Sequence, residues 1–313
     1  MNRYQQEENW ERLKFDLGER ILNYLENPNV IEIMVNDDSS IWVEEHGQKT
    51  IQRVGEMTPE KTMMIINTIA YSLDSIVDAK NPIIGGEFPV DGSRFQAMVP
   101  PVVLAPSFSI RKKATKIFSL DEYVGANIMT KTQRNIISKL CMDRKNILIV
   151  GSTGSGKTTF ANAILKEISE LDSNCRMAII EDTRELQCDI QNKIVSRTSE
   201  NVTMQDLLKS MMRFRPDRIC LGEVRGAEVY SLLMAFNTGH SGGFTTIHAN
   251  NARAGITRIE QILMAHNFTP VPAVIAEAIN AVVSIQKTDT GRKVKEILEI
   301  SCERGEYIFK EIN

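Results

Sequence analysis

One glycine-rich segment of the sequence has the composition and spacing of a phosphate-binding loop. It follows the apolar run 147–150, precedes a helical pattern, and reads Gly151-Ser152-Thr153-Gly154-Ser155-Gly156-Lys157-Thr158-Thr159. Glycines let the backbone fold tightly, so that successive N–H groups point at phosphate oxygens, and the start of a helix favours negative charge. Lys157 can reach the β- and γ-phosphates, and Thr158 can ligate Mg²⁺. A surface turn that merely starts a helix would need neither the strand nor the Lys-Thr pair, so the segment predicts binding of ATP.

Carboxylates follow two other apolar runs, where they could position the water that hydrolysis requires. Glu223 comes directly after the run 219–222, and Glu181 and Asp182 come after the run 178–180. In a parallel sheet both places would lie at the carboxyl edge, where ligands bind. Acids after strands are also common helix N-caps, so each place by itself is compatible with either interpretation. Two of them beside a phosphate loop favour hydrolysis of ATP.

A histidine ends a further apolar run. His248 closes the run 244–247, which itself follows a glycine turn at 239–243. An imidazole there can hydrogen-bond a γ-phosphate. The ordinary alternative for a lone histidine is a buried side chain whose hydrogen bonds are satisfied within the protein. We expect this ordinary, non-functional role for His46, at a predicted turn, and for His266, near a predicted helix end.

The elements that must position these residues alternate along the second half of the chain. A helix is predicted over 131–142, and the apolar runs are each followed by polar residues and then by a helical pattern. Strands that alternate with helices predict a mostly parallel sheet covered on both faces. Three more strands are predicted as antiparallel additions at one edge of that sheet, over 282–286, 293–300 and 306–312.

The first half of the chain has a different pattern. It begins with an amphipathic helix over 8–26, followed by short alternating strands from Ile31 to Val43 that predict a β-meander. Thr58 and Pro59 predict the start of a second helix, and residues 95–99 alternate as a strand does. We therefore expect three parts, listed from the N-terminus: an α+β domain over 1–113, a linker over 114–130 and an α/β domain over 131–313.

Composition restricts the classes of protein that the chain can belong to. Its 313 residues suffice for about two domains. The net charge of −3 supplies no global basic field for nucleic acid, and no apolar run reaches the ~18 residues of a membrane span. Five cysteines lie far apart without a Cys-x-x-Cys pair, which disfavours a zinc ribbon. We expect a cytoplasmic protein with no secretory signal, no transmembrane segment and no direct sequence-specific binding of nucleic acid.

Four segments in order resemble the sequence boxes of the secretion, or traffic, ATPases of type II and type IV secretion systems and type IV pili. These are the Walker A box, the Asp box, the atypical Walker B box and the His box, at 151–159, 180–186, 215–226 and 242–250. The first half is similar more loosely, at 31–36, 91–94 and 109–112. With one short N-terminal domain and no tetracysteine insertion, the chain resembles the type IV secretion branch, and within it the conjugative-transfer ATPases.

This resemblance implies a RecA-like P-loop NTPase domain of the α/β class, preceded by a smaller α+β N-terminal domain. It implies a homohexameric motor that uses ATP and Mg²⁺, with nucleotide between the two domains and near a neighbouring subunit. The motor would act on an inner-membrane secretion or pilus-assembly complex, from a peripheral position at the inner face of the cytoplasmic membrane.

The resemblance also assigns roles to single residues. Glu223 would position the attacking water, Glu181 and Asp182 would support Mg²⁺ and water, and His248 would sense the γ-phosphate. Four arginines are candidates for stabilising phosphate charge, Arg94 and Arg111 from the N-terminal domain and Arg213 and Arg225 from the second. For each arginine a surface salt bridge is the alternative.

Other functions stay open from the sequence. A type II secretion or type IV pilus motor would keep the same site. A ring helicase or recombinase would need a basic channel that bears aromatic residues, and 6% aromatics with a charge of −3 give little support for one. A scaffold that binds ATP without turnover would not need acids at 181, 182 and 223.

Overall fold

The chain divides into two compact units, Met1–Thr115 and Lys116–Asn313. The structure, a computed structural model, describes residues 3–45, 48, 50–113, 116–199, 201–289 and 291–312. The predicted turn at His46 and the first two residues of the predicted linker, Ala114 and Thr115, lie outside the described residues. In the part of the chain that is described, every helix is too short or too polar to span a membrane.

The first unit is an antiparallel sheet with two helices. Its elements are α1 (Arg3–Glu26), β1 (Val30–Val35), β2 (Ser40–Glu45), β3 (Gln52–Glu56), α2 (Pro59–Ser72), β4 (Ile83–Glu87), β5 (Arg94–Met98) and β6 (Ser107–Arg111). The strands are ordered β3-β2-β1-β6-β5-β4, and every neighbouring pair is antiparallel. The predicted meander is confirmed in β1 to β3.

The two helices of the first unit show the features that the sequence predicts for them, an apolar face in α1 and an N-cap in α2. In α1 the buried residues Leu13, Leu17 and Ile21 recur at helical spacing and pack in the core of the unit. The helix starts before the predicted boundary, and Gly18 interrupts it with a φ of 72°. At α2 the Thr58 hydroxyl accepts a hydrogen bond from the Lys61 N–H, so the predicted cap is confirmed.

The second unit is an eight-stranded sheet with helices on both faces. Its helices are α3 (Leu120–Gly125), α4 (Lys131–Met142), α5 (Lys157–Leu171), α6 (Met204–Met211), α7 (Glu228–Asn237), α8 (Ala252–Ala265) and α9 (Pro272–Ala278), with a short 3₁₀ helix at Met212–Phe214. Its strands are β7 (Ile147–Gly151), β8 (Met177–Glu181), β9 (Lys193–Arg197), β10 (Arg218–Leu221), β11 (Phe244–His248), β12 (Ala281–Thr288), β13 (Gly291–Glu303) and β14 (Glu306–Glu311).

The strand order of this sheet is β14-β13-β12-β7-β11-β10-β8-β9. Strands β12, β7, β11, β10, β8 and β9 are parallel, whereas β13 and β14 join antiparallel at one edge. The expectation of three antiparallel strands is therefore wrong for β12, which pairs parallel with β7 because the chain crosses over through α8 and α9 before it. The predicted edge position of the last two strands is confirmed.

Alternate residues of β7 show why the sheet needs cover on both sides. Leu148 and Val150 pack into a core with residues of α6 to α9, whereas Ile147 and Ile149 pack into a second core with α3, α4 and α5. All five residues of β7 are buried. A central parallel strand therefore reads as a continuous apolar run, which is how the sequence presents it.

The segment that the sequence suggests as a linker contains an element of the second unit. Ser119 caps helix α3: its hydroxyl accepts from the Glu122 N–H, while the Glu122 carboxylate accepts from the Ser119 N–H. Its Leu120 and Tyr123 are buried in the same core as α4 and α5. Six residues are too few for a clear helical periodicity, so the pattern gives no signal of this helix.

Two buried polar side chains join the strands at the amino-terminal edge of the second sheet. The Asn146 carboxamide oxygen accepts from the N–H groups of Gly242 (2.8 Å) and Gly243 (3.3 Å). The Arg218 guanidinium is 1% exposed and donates to the Gly242 carbonyl, the Cys141 carbonyl and the Asp172 carboxylate. These bonds fix how the segment before β11 meets its neighbours.

The glycines before β11 belong to this edge of the sheet. A Cβ on Gly243 would lie 1.8 Å from the carbonyl oxygen of Ile219, and Gly242 has a φ of 84° with Arg218 packed against it. A side chain at either position would displace backbone. The glycine turn is therefore required for packing at the end of β11 opposite His248.

We predict that Arg218→Ala lowers the free energy of unfolding by about 2–4 kcal/mol, because two carbonyls and part of Asp172 lose a buried charged donor. The control is Arg144→Ala, since Arg144 binds the same Asp172 carboxylate from the surface. That exposed pair should contribute less than about 1 kcal/mol. Urea denaturation of both variants measures their free energies of unfolding. Equal losses of stability in the two variants would contradict the structural role of the buried Arg218.

Candidate active site

The phosphate loop forms the turn that the sequence predicts, between β7 and α5. Gly151 ends β7, and Gly156 caps α5 in the left-handed region with a φ of 92°. A Cβ on Gly151 would lie 2.3 Å from the Ile285 carbonyl oxygen and 2.4 Å from Ser155 Oγ, so only glycine fits. Among the described residues, no side chain caps the N-terminus of α5. Its first N–H groups have no intrahelical partner and remain available to an anion.

Lys157 is buried at the first position of α5. Its Nζ donates to the carbonyl oxygens of Gly151 (2.9 Å) and Ser152 (3.0 Å), and it lies 3.2 Å from Nδ1 of His248. The side chain therefore folds back over the loop, with its charge at the carboxyl end of β7. Ser155 Oγ, in the same loop, is buried and has no hydrogen-bond partner among the described residues.

Strand register brings the predicted residues to one edge of the sheet. His248 is the register partner of Gly151 across the β7–β11 ladder, so the histidine stands directly beside the start of the loop. Glu223 lies two residues after β10 ends, and Glu181 is the last residue of β8. Because these four strands are parallel, all their carboxyl ends lie on the same side.

A continuous line of charged and polar side chains connects the loop to the acid. His248 Nε2 lies 2.9 Å from Oε1 of Glu223, close enough for an ion pair but without the alignment of a hydrogen bond, while His248 Nδ1 faces Lys157. The other Glu223 oxygen accepts from Nη2 of Arg225 at 2.5 Å. The hydrogen bond to Glu223 raises the pKa of Arg225. One imidazole thus contacts the ammonium of the phosphate loop with one nitrogen and the candidate catalytic carboxylate with the other.

Backbone and hydroxyl contacts hold the loop that carries Glu223. The Thr246 hydroxyl donates to the Gly222 carbonyl (2.8 Å), and the Val224 N–H donates to the Thr246 carbonyl (3.0 Å). Thr246 is two residues before His248 on the same strand and points to the same face. The sequence pattern includes Thr246 in the His box, yet nothing in its residue type identifies it as a support for Glu223.

Glu181 and Asp182 are neighbours with different surroundings. Glu181 is 2% exposed, and its Oε1 accepts from the N–H groups of Glu185 (3.0 Å) and Leu186 (2.8 Å). Asp182 is half-exposed, accepts from the Thr198 hydroxyl and lies 3.7 Å from Nη1 of Arg225. Glu181 therefore holds the turn after β8, whereas Asp182 keeps a carboxylate at the surface of the site.

The two arginines of the first unit stand side by side. Arg94 of β5 is the register partner of Arg111 of β6, with Glu87 across from Arg94 and Glu32 across from Arg111. Within the described part of the chain neither arginine forms an ion pair shorter than 4.0 Å. Two adjacent guanidinium groups without a paired carboxylate suit an anion, and their role toward a nucleotide stays a prediction.

Arg213 lies elsewhere. It is exposed in the 3₁₀ helix that precedes β10, on the amino-terminal side of that strand. Within its own unit it is therefore at the edge opposite the phosphate loop, whereas Arg225 follows Glu223 and contacts it. Of the two arginines that the sequence proposes in this domain, the structure brings only Arg225 to the candidate site.

The residues present fit a magnesium–nucleotide. The bare start of α5, the glycines and the unpartnered Ser155 hydroxyl form a cradle for phosphate oxygens. No cluster of three or more His, Cys, Asp or Glu side chains that could hold a metal by itself occurs among the described residues. Mg²⁺ usually binds through one or two protein oxygens together with phosphates and waters, and the Thr158 hydroxyl and Asp182 are oxygens of that kind.

Solved structures share this architecture. The pilus retraction motor PilT, crystallised with bound ADP, matches with a TM-score of 0.65 at 21% identity, over 94% of this chain and 82% of PilT. The ATPase DotB of Legionella pneumophila matches with a TM-score of 0.62 at 22% identity, over 93% of this chain and 80% of DotB. The predicted fold is confirmed: a RecA-like α/β domain preceded by a smaller α+β domain.

Sequence comparison gives the family. A probable conjugal transfer protein TrbB of Sinorhizobium fredii is 43% identical over 289 residues, 92% of this chain and 89% of that protein. The type IV secretion system protein VirB11 of Bartonella quintana is 30% identical over 284 residues, 77% of this chain and 78% of that protein. The family described as "Type II/IV secretion system protein" matches residues 16–301. The resemblance in the sequence boxes is confirmed, and the chain belongs to the type II/IV secretion system protein family.

Proposed function

We propose that this chain is an ATPase that hydrolyses ATP to ADP and phosphate and powers a type IV secretion machine of the conjugative kind. One observation carries the proposal: His248 lies between the ammonium of Lys157 and the carboxylate of Glu223, at the carboxyl end of the phosphate-loop strand. A protein that only binds nucleotide needs the loop but does not need an imidazole placed between that loop and a carboxylate.

The loop residues Gly151 to Thr159 bind the phosphates through main-chain N–H groups at the start of α5. Lys157 exchanges its contacts to the Gly151 and Ser152 carbonyls for phosphate oxygens. Thr158 and Asp182 would hold Mg²⁺, which would supply positive charge beside the phosphates. Arg94 and Arg111 are further ligands for phosphate charge.

Glu223 orients the attacking water and accepts its proton. In the contacts described above Glu223 is also bound to Arg225, so the carboxylate is held in place before it acts. His248 senses the γ-phosphate through Lys157, because any movement of the ammonium toward phosphate changes its 3.2 Å contact with the imidazole. The same imidazole contacts Glu223, which couples occupancy of the loop to the position of the acid.

The cycle yields work through differences in affinity. A motor can shift its conformation only by the difference in binding free energy of ATP and ADP for its two states. In our proposal the chain assembles as a homohexamer, and successive hydrolysis events in the ring move its subunits against an inner-membrane secretion complex. The chain would act from the inner face of the cytoplasmic membrane as a peripheral component.

The relatives support the conjugative branch over other branches of type IV secretion. A conjugal transfer protein TrbB of Rhizobium radiobacter is 42% identical over 95% of this chain, compared with 29% for the type IV secretion system protein PtlH of Bordetella pertussis.

A complementation experiment tests the assignment to the conjugative branch. The chain should restore conjugative transfer in a host that lacks its own ATPase of this family. Failure in a conjugation system together with success in a pilus system would refute the assignment.

Two substitutions separate binding from turnover. Lys157→Ala should weaken ATP affinity about tenfold to a hundredfold, since a charged hydrogen bond to phosphate is lost. Glu223→Gln should retain ATP affinity and lower turnover by about 10²–10⁴-fold, because the amide cannot accept a proton from water. Nucleotide titration and steady-state phosphate release measure the two effects.

Glu277→Gln is the matched control, because Glu277 is an exposed glutamate of α9. It should bind and hydrolyse ATP as the wild type does. A Glu223→Gln variant that releases phosphate at the wild-type rate would show that another group positions the water.

The turn that Glu181 holds can be tested separately. Glu181→Ala removes the acceptor for two N–H groups, so amide hydrogen exchange at Glu185 and Leu186 should accelerate about tenfold to a hundredfold. Asp182→Ala is the control, because Asp182 binds neither amide. Unchanged exchange at both amides in Glu181→Ala would mean that Glu181 is free to serve water or metal directly.

The oligomer is tested by size measurement with and without ATP. We expect a particle six times the 35.3 kDa mass of the chain, with ATPase activity in the same fractions. Activity that stays entirely with the monomer would contradict a ring motor.

A further inference from the structure

Arg292 lies against the phosphate loop on the flank away from the acids. It is the second residue of β13, and a Cβ built on Gly156 would come within 2.9 Å of its Cδ and 3.2 Å of its Nε. Strand β7 has β11, with His248, on one side and β12 on the other, and β13 follows β12. Gly156 therefore makes room both for the turn and for this arginine.

The start of β13 is held in place by contacts with α4 and the segment before it. The Val294 N–H donates to the Ile128 carbonyl at 2.8 Å, and the Gln133 carboxamide donates to the Val294 carbonyl at 3.3 Å. Lys293, the residue next to Arg292, donates its ammonium to the Asn127 carbonyl. Arg292 is consequently presented from a fixed strand rather than from a free loop.

One N–H group of its guanidinium has no hydrogen-bond partner in the described part of the chain. The Nε–H is buried and donates to no acceptor among the described residues. Tyr123 is buried nearby: burial raises the pKa of its phenol, and the positive charge of Arg292 acts in the opposite sense. The Arg292 side chain as a whole is half-buried, but a buried N–H donor without an acceptor is costly, which indicates a ligand beside it.

We propose that Arg292 binds the nucleoside end of the nucleotide, with its guanidinium plane against the purine base. This role depends on the proposed nucleotide site. There the γ-phosphate faces Glu223 and His248, on the β11 side of the loop. The nucleoside, at the other end of the phosphate chain, then lies on the β12 side, where Arg292 stands. A planar guanidinium stacks on aromatic rings, which an ammonium cannot do.

The test compares two diphosphates, Mg–ADP and inorganic pyrophosphate, by titration calorimetry on the full chain. In Arg292→Ala the affinity for ADP should fall about tenfold, whereas the affinity for pyrophosphate should stay within about twofold of the wild type. Arg292→Lys keeps the charge and loses the plane, so its affinity for ADP should fall as in the alanine variant. Lys295→Ala, an exposed lysine of the same strand, should bind both ligands as the wild type does.

The outcomes separate this inference from the proposed function. Equal weakening of ADP and pyrophosphate in Arg292→Ala, or full rescue by Arg292→Lys, would show that Arg292 binds phosphate and would overturn the assignment to the base. Unchanged affinity for ADP would overturn it as well. A wild-type chain that binds neither ligand would instead refute the nucleotide site itself.

Discussion

The contact of His248 with both Lys157 and Glu223 is the interaction on which the rest of the site depends. It exists because β7 and β11 are parallel neighbours in a register that places His248 beside Gly151. A slip of one residue would turn the imidazole to the other face of the sheet and separate the ammonium of the loop from the acid. The positions of the polar residues at this edge therefore follow from strand order and register. The apolar runs set that order and register, because they form the strands.

The opposite edge of the same sheet secures that register. Asn146 and Arg218 bind the glycine pair at 242 and 243, and the Ile219 carbonyl leaves no room for a side chain there. Both boxes that carry catalytic candidates thus also contain residues with a structural purpose. The first residues of the Walker B and His boxes hold the strands at their amino ends, and the last residues, Glu223 and His248, serve the carboxyl ends.

Much of this could be predicted from the sequence, and the exceptions have physical reasons. The loop and the buried strands were accessible because glycine spacing and apolar runs are local signals. Glu181 has the same residue type and strand-end position as a catalytic acid, yet two backbone amides occupy one of its oxygens. The parallel pairing of β12 and the approach of Arg292 to Gly156 depend on which distant segments meet. No local pattern contains that information.

The central claim is that the cradle at the start of α5 holds a nucleotide where Glu223 can act on its last phosphate. Calorimetric titration of the purified chain with Mg–ATP tests it most directly. We predict saturable binding of one nucleotide per chain, competed by ADP. An absence of saturable binding in monomer and oligomer alike would contradict the claim.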